Sequence, residues 1–443
     1  MKLIVRNHRR AVRAAVWLGF VLILALPAVA ATNFIAGADM SLLNYFESNN
    51  ITYKDNGQVS NALVILKNHG INCIRLRLFT SSAAQAASDP YDYLNNLTYT
   101  VPLAVSVKNA GLQFMLDFHY SDTWADPGHQ TIPSAWSSLT LTQLVDQMRS
   151  YNSNCIAAFS AAGAMPDYVQ VGNEITSGML WTDGQVPGTN AATQWPQLAE
   201  LINSAIQGIR DAASTNLPQI VIHIDRGGDW STTEWFFDNL KAQHVQFDII
   251  GESYYPIYHG PPSALSNCLY NAANRYNKPI FVAETDFPWT NTVWTTNIYG
   301  ISGSTNGQAQ YTLGLVQLLK SVPQHLGAGI FWWAAEYQQK NGINEAGFNT
   351  ASFFDKAGNV LPAADVLGQS AAPLWLSTSL SGTNLNFQWP LSGAGLKLAT
   401  TTSLSPAAGW QDMNNPIQNT GTLYSASVPV DAGTNRFYRL QSN

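Results

Sequence analysis

The stretch YVQVGNE, residues 168–174, reads as a short strand that stops at an acid. Val169 and Val171 alternate with Gln170, then Gly172 breaks the run and sets Asn173 and Glu174 at its tip. Alternation with period two marks a strand, and a glycine behind it marks its end. Seven more apolar runs lie in the first 340 residues: FIAGAD (34–39), NCIRLRL (72–78), LQFMLDF (112–118), QIVIHID (219–225), FDIIGES (247–253), PIFVAE (279–284) and AGIFWW (328–333).

Segments with helical spacing separate these runs. VSNALVILKNHG places Ala62, Leu63, Ile65 and Leu66 on one face and closes at Gly70. QWPQLAELINSAIQGIRDAA carries a stripe of Leu198, Leu201, Ile202, Ala205, Ile206 and Ile209, and GQAQYTLGLVQLLKSV one of Tyr311, Leu315 and Leu318. Gly111 and Gly163 stand where helices should end. Eight strands alternating with helices predict a parallel sheet, because parallel neighbours need a crossover. Eight such units in the first 340 residues predict an α/β fold, a closed (β/α)8 TIM barrel with long loops. The alternative, a doubly wound open sheet, would want a Gly-rich phosphate turn after an early strand, and none is present.

Past Ser370 the pattern changes. PLWLSTSLSGTNLNFQWPLSGAGLKLATTTSL alternates polar and apolar residues, with Ser, Thr, Gly and Asn between, and the chain closes on NRFYRL. This predicts a small all-β, sandwich-like module. The expected organisation is a signal peptide at 1–30, the barrel at 31–370 and the module at 371–443. The leader reading rests on Lys2, Arg6, Arg9, Arg10 and Arg13 without an acid, the short apolar run LGFVLILALPAVA, and the small-x-small pattern Ala28-Val29-Ala30. A twin-arginine leader at Arg9-Arg10 is the alternative, but its flanks fit poorly. No later run reaches membrane-spanning length, so a secreted or periplasmic protein is expected.

The composition is 46% hydrophobic and 11% charged, enough for a large core. The formal charge of −6 with no basic stripe argues against nucleic acid as a partner. Cys73, Cys155 and Cys268 allow at most one disulfide, and Cys73 reads as a buried thiol. No metal-binding motif appears, so neither metal nor cofactor is expected.

In a barrel the chemistry sits at the C-terminal ends of the strands. There the chain offers Asp39; Arg75 and Arg77; Asp117, His119, Tyr120 and Asp122; Asn173 and Glu174; His223 and Asp225; Tyr254 and Tyr255; Glu284; Trp332 and Trp333. Arg75 reads equally as a partner for an acid inside the barrel and as a site residue. His223 reads rather as a hydrogen-bonded core histidine. Glu174 and Glu284 are each taken as the last residue of a strand, the fourth and the seventh, which face each other across a closed barrel. Two carboxyls across a cleft are what glycosidic cleavage needs, one to protonate the leaving oxygen and one to attack or stabilise the anomeric carbon.

The segment DFHYSDTWADPGHQTIPSAW (117–136) closely resembles the signature after the third strand of glycoside hydrolase family 53, the endo-β-1,4-galactanases. GADMS (37–41), GINCIRLRLF (70–79), VQVGNEITSGMLW (169–181), IHIDRGGDW (222–230), FDIIGESYYPIYHG (247–260), VAETDFPW (282–289) and GIFWW (329–333) follow in family order. The resemblance implies a retaining hydrolase of β-1,4-galactan in arabinogalactan, monomeric and acting on a polysaccharide. Glu174 would be the acid/base, with a raised pKa, and Glu284 the nucleophile, kept ionised. Asn173 would bind the 2-hydroxyl of the reacting sugar. Arg77 with Tyr254 or Tyr255 would hold Glu284 as an anion. Trp333 would floor the reacting sugar, and Trp124 would stack on sugars at the non-reducing side, unless it only packs its loop. Asp39, His119 and Asp122 would bind substrate or support residues that do.

Two loops depart from the family pattern. Where the family commonly reads Trp-Glu-Pro after the last strand, this chain reads WWAAEYQQ, with Ala334 in place of the acid and Glu336 two residues on. TDFPWTNTVWTTNIYGISGSTNGQ (285–308) lacks an acidic cluster, so no calcium is expected there. Arg226 stands where a smaller polar residue is expected. Two other readings compete: a barrel hydrolase of mannan or glucan, and a non-catalytic sugar-binding barrel.

Overall fold

The computed structural model describes residues 34–441, except 188–190, 214–216, 292–297, 345, 373, 394–395, 404–408, 421–422 and 431–435. The expected signal peptide lies outside the described residues. Eight parallel strands close into a barrel in sequence order: β1 (Ile35–Asp39), β2 (Cys73–Leu78), β3 (Gln113–Phe118), β4 (Tyr168–Val171), β5 (Gln219–Ile224), β6 (Ile249–Ser253), β7 (Ile280–Thr285) and β8 (Gly327–Trp332), which pairs back onto β1. A helix follows each strand: α1 (Ala62–Asn68), α2 (Leu97–Asn109), α3 (Leu141–Ala161), α4 (Ala191–Ala212), α5 (Trp230–Ala242), α6 (Pro262–Tyr276), α7 (Thr305–Lys320) and α8 (Pro362–Gln369).

Local chemistry sets the helix ends. Asn61, Asn96 and Thr140 cap α1, α2 and α3 by accepting a backbone N–H, and Thr140 forms a reciprocal capping box with Gln143. Gly111 and Gly163, both at φ +73°, lie just past α2 and α3 in a conformation that favours glycine. The expected stripe of α4 is buried throughout, whereas Leu318 of α7 is only partly covered.

The barrel interior is layered. At the N-terminal end Ile35, Cys73, Met115, Tyr168, Val221, Ile249, Phe281 and Phe331 form an apolar plug. Two residues further along, on the same face of β1 to β6, stand Gly37, Arg75, Asp117, Gln170, His223 and Gly251. Gly37 is required by the plug, since a Cβ there would come within 2.2 Å of the Phe331 ring. All three cysteines are buried free thiols.

Beyond α8 the chain forms β9 (Ser377–Ser381), β10 (Asn384–Pro390), β11 (Lys397–Thr401), β12 (Gln411–Asp412), β13 (Gln418–Asn419), β14 (Leu423–Pro429) and β15 (Phe437–Gln441). They make two antiparallel sheets, ordered β9-β10-β14-β13 and β12-β11-β15. Phe387 of one sheet meets Tyr438 of the other at a centroid distance of 4.7 Å. Tyr424 joins the module to the barrel, its hydroxyl accepting a 2.7 Å hydrogen bond from Gln317 of α7. Among the described residues no helix is long and apolar enough to cross a membrane.

Candidate active site

The tip of β4 is built by a turn. The strand ends at Val171, Gly172 takes φ +85°, and Glu174 itself takes φ +48°. Glu174 is therefore not the last residue of its strand, as the sequence suggests, but stands three residues beyond it. Glu284 is not terminal either, since β7 runs on to Thr285. A left-handed residue other than glycine costs roughly 1–2 kcal/mol. The neighbouring loop holds it there: Asn173 Nδ2 donates to Ala125 O at 2.8 Å, and Gln130 Nε2 donates to Asn173 O at 2.8 Å.

This turn brings Glu174 to Glu284. Both side chains are buried, and an oxygen of each lies within 4.8 Å of the other and of a ring nitrogen of His223. Their surroundings differ. Glu284 accepts hydrogen bonds from Arg75 at 3.1 Å and from the Tyr255 hydroxyl at 2.7 Å. Among the described residues the Glu174 carboxyl accepts a hydrogen bond only from the hydroxyl of Ser253, 2.5 Å from its Oε1. Burial raises the pKa of both carboxyls, and for Glu174 the charges of Glu284 and Asp225 add to it, so it lies well above the usual range. For Glu284, Arg75 and Tyr255 oppose the effect of burial. The proton shared by such a pair belongs on Glu174.

Arg75 organises the layer beneath. Its guanidinium reaches Asp39 at 3.2 Å, Asp117 at 2.8 Å, Glu284 at 3.1 Å, Asn173 at 2.8 Å and Gln170 at 3.3 Å. It is thus both an internal ion-pair partner and the cation beside Glu284. The expectation that Arg77 holds Glu284 is overturned. Arg77 points away, to Asp39 at 3.1 Å, Asn95 at 3.2 Å and the Tyr337 hydroxyl at 2.8 Å. A step of two residues along β2 separates the two guanidiniums, and only the lower one reaches across the barrel. Of the two tyrosines, Tyr255 reaches Glu284, while the Tyr254 hydroxyl donates to Gly260 O at 2.9 Å.

Asp39, His119 and Asp122 are each engaged by protein groups. Asp39 accepts from Ser41, Arg75 and Arg77. His119 is buried, accepts from Ala125 N at Nδ1 (2.9 Å), and lies 3.1 Å from Asp117 through Nε2. Asp122 does not enter the cleft network; it ties loops together by accepting from Thr80, Gln85 and Ser134. Those bonds lower its pKa despite burial. Trp124 and Trp333 meet edge-to-face with centroids 5.9 Å apart, and the Arg77 guanidinium lies 4.3 Å from the first ring and 5.0 Å from the second. Asn173 Oδ1 faces Arg75, Gln170 and His223.

His223 is a buried histidine between Asn173 Oδ1 (3.0 Å) and Ser253 Oγ (2.8 Å), held neutral by burial and by Arg75. Glu174, His223 and Glu284 could together face a metal ion, but both nitrogens of His223 are already engaged in these contacts. Arg226 pairs with its neighbour Asp225 at 2.8 Å. Glu336 is buried, accepts from Leu42 N at 2.8 Å through Oε1, and has no hydrogen-bond partner at Oε2 among the described residues; burial and Asp39 push its pKa up to about 8.

Sequence reasoning missed Ser253 and Asp286. Ser253 closes β6 and is too common a residue type to signal a role. Asp286 follows Glu284 by two positions, and its pKa is pushed up to about 7 by burial and by the charge of Glu284.

Comparison with known proteins agrees with this geometry. The family described as glycosyl hydrolase family 53 matches residues 35–367. A protein of Niallia circulans, uncharacterised and encoded in the 5′ region of bgaB, is 41% identical over 313 residues, covering 68% of this chain and 83% of its own. The arabinogalactan endo-beta-1,4-galactanase of Humicola insolens is 34% identical over 308 residues, covering 67% and 88%. A structure from a study of two fungal beta-1,4-galactanases superposes with a TM-score of 0.66 at 32% identity, covering 75% of this chain and 98% of that one.

Proposed function

The chain belongs to glycosyl hydrolase family 53 and is a glycoside hydrolase, and on that premise we propose that it is a secreted endo-β-1,4-galactanase that cleaves galactan or arabinogalactan with retention of configuration. Glu284 is the nucleophile and Glu174 the acid/base. The observation that carries this assignment is the asymmetry of two adjacent buried carboxyls. The one beside Arg75 and Tyr255 is suited to stay ionised and attack the anomeric carbon. The one facing only a serine hydroxyl is suited to hold the proton the leaving oxygen needs.

In the first step Glu284 forms a bond to the anomeric carbon while the glycosidic bond breaks, and Glu174 gives its proton to the leaving oxygen. In the second, Glu174 takes a proton from water as that water displaces Glu284. A spacing of about 5–5.5 Å favours this double displacement, since inversion needs room for a water between the carboxyls, about 6.5–9.5 Å. Asn173 contacts the 2-hydroxyl in this reading, a role supported by Arg75 holding its amide oxygen. Trp124 and Trp333 offer faces for sugar stacking.

Linear β-1,4-galactan, compared with mannan and cellulose derivatives, tests the substrate. Release of oligosaccharides from galactan alone is expected; preferential cleavage of mannan or glucan would replace this reading with its rival. The first-formed anomer, followed by proton NMR, tests retention. Secretion is tested by N-terminal sequencing of protein from the culture medium, with a new terminus near Ala31 expected.

A further inference from the structure

Each carboxyl around the cleft except one is matched to protein donors. Asp39, Asp117, Asp122 and Asp225 each accept from hydroxyl, amide or guanidinium groups, Glu284 accepts from Arg75 and Tyr255, and Glu174 meets Ser253. Asp286 accepts no hydrogen bond from any described residue, although it is only partly exposed and stands two positions from Glu284. It is the first residue past β7, close enough to Glu284 and Tyr255 for the charges to interact. Thr285 between the two acids is locked by Tyr254 O at 2.6 Å and the Tyr311 hydroxyl at 2.7 Å, which fixes the end of the strand from which Asp286 projects. A half-buried carboxyl with no donor beside a second carboxyl is costly in the empty protein, and a ligand that brings hydroxyl donors would relieve that cost.

A second observation lies next to it. After β6 a short helix, Pro256–His259, carries Ile257 and Tyr258, which are 46% and 77% exposed and hence open to a ligand. Tyr258 stands against Tyr255, the residue that holds Glu284, with ring centroids 6.4 Å apart. Tyr255 thus has an exposed tyrosine ring on one side and feels the charge of the unpaired Asp286, and a ring for a pyranose face with a carboxylate for its hydroxyls is a sugar-binding combination. The loops after β6 and β7 lie across the closed ring from Trp124, which follows β3. Sugars stacked by Trp124 therefore leave this side for the portion that departs.

We infer that Asp286 and Tyr258 form the subsite for the first sugar of the leaving group, with Asp286 accepting hydrogen bonds from that sugar's hydroxyls and Tyr258 covering its face. The inference rests on the reading of Glu174 and Glu284 as the catalytic pair. It makes Asp286 a specificity-determining residue for oligosaccharide leaving groups, distinct from the bond-breaking carboxyls.

The test compares β-1,4-galactotetraose, whose leaving group is a sugar, with 2,4-dinitrophenyl β-1,4-galactobioside, whose leaving group is not. Asp286→Ala and Tyr258→Ala are each expected to lower kcat/KM on the tetraose about tenfold more than on the aryl substrate, the size of one hydrogen bond to a charged group. Asp286→Asn, which retains one acceptor oxygen, is expected to recover part of the split. Equal losses on both substrates, or an undiminished rate on the tetraose, would overturn the subsite. Thermal midpoints of the variants identify a loss caused by misfolding, which the aryl substrate would register equally. A wild-type enzyme that cleaves neither substrate would instead refute the galactanase reading, so the two failures are distinguishable.

Discussion

The two ends of the barrel interior use the same eight strands and opposite chemistry. At the N-terminal end the inward residues are Ile, Cys, Met, Tyr, Val and Phe, packed without a charge. One step along each strand, the inward positions hold Arg75, Asp117, Gln170 and His223, and above them lie Arg77, Glu174 and Glu284, all buried. The lower layer gains by leaving water. The upper layer loses solvation and recovers it only through mutual pairing, with Arg75 bonded to three carboxylates at once. Stability and reactivity are thus separated by about two residues of strand, and the separation can be tested from both sides.

The largest effect is expected in the upper layer. Glu284→Ala should lower galactan turnover by roughly 10⁴- to 10⁶-fold, the range for removing a nucleophile, with the fold intact by circular dichroism. Added azide should restore part of the rate and yield a glycosyl azide; near-normal turnover without azide would end the assignment.

Next come changes that weaken each layer in turn. Arg75→Met leaves Asp39, Asp117 and Glu284 without their shared cation and should cost about 3–5 kcal/mol in urea unfolding. Phe281→Ala in the plug should cost a similar 3–5 kcal/mol through the cavity it leaves, yet should leave the pH profile of the remaining activity in place. If Phe281→Ala moved that profile, the two layers would be coupled rather than separate.

Glu336 gives a smaller, pH-dependent effect. Its folded pKa of about 8 lies above its unfolded value near 4.5, so the fold favours its protonated form. Its contribution is fully present below pH 4.5 and is lost as pH rises towards 8, by on the order of a few kcal/mol. Glu336→Gln, which keeps an acceptor for Leu42 N, should flatten the fall in unfolding free energy across that window. An unchanged slope would show that the buried carboxyl is not its source.

The smallest expected effect is a shift in the pH profile. With Glu174 as the proposed acid/base and Glu284 as the proposed nucleophile, activity should fall as pH rises through the raised pKa of Glu174 and as pH drops through that of Glu284. Ser253→Ala removes the one hydrogen-bond partner of the Glu174 carboxyl among the described residues, a bond that lowers its pKa, and should move the alkaline limb up by about one pH unit, tenfold in proton affinity. An unmoved alkaline limb would mean that another group sets it.

Periodicity made the eight strands, most helix ends and the two glutamates legible, because strand alternation and helical spacing are local properties of the chain. The resemblance of 117–136 and its companion motifs to family 53 made the chemistry legible. Neither revealed which arginine touches Glu284. Arg75 and Arg77 are the same residue type on the same strand face, and their roles part only because the closed barrel brings Asp117, Asn173 and Glu284 within reach of the lower one. Neither revealed that Tyr255 rather than its neighbour holds Glu284, that Asp122 ties loops instead of facing the cleft, or that Asp286 stands without a donor.

By itself, then, the sequence determined the fold class, the family and the pair of carboxyls, since each is written in spacing or in contiguous motifs. Only the tertiary structure decided the partners: the cation and phenol on Glu284, the serine on Glu174, and the unmatched acid beside them. Proton affinity and hydrogen-bond satisfaction depend on atoms brought together from strands as far apart in the chain as residues 75 and 284, and no local pattern encodes that meeting.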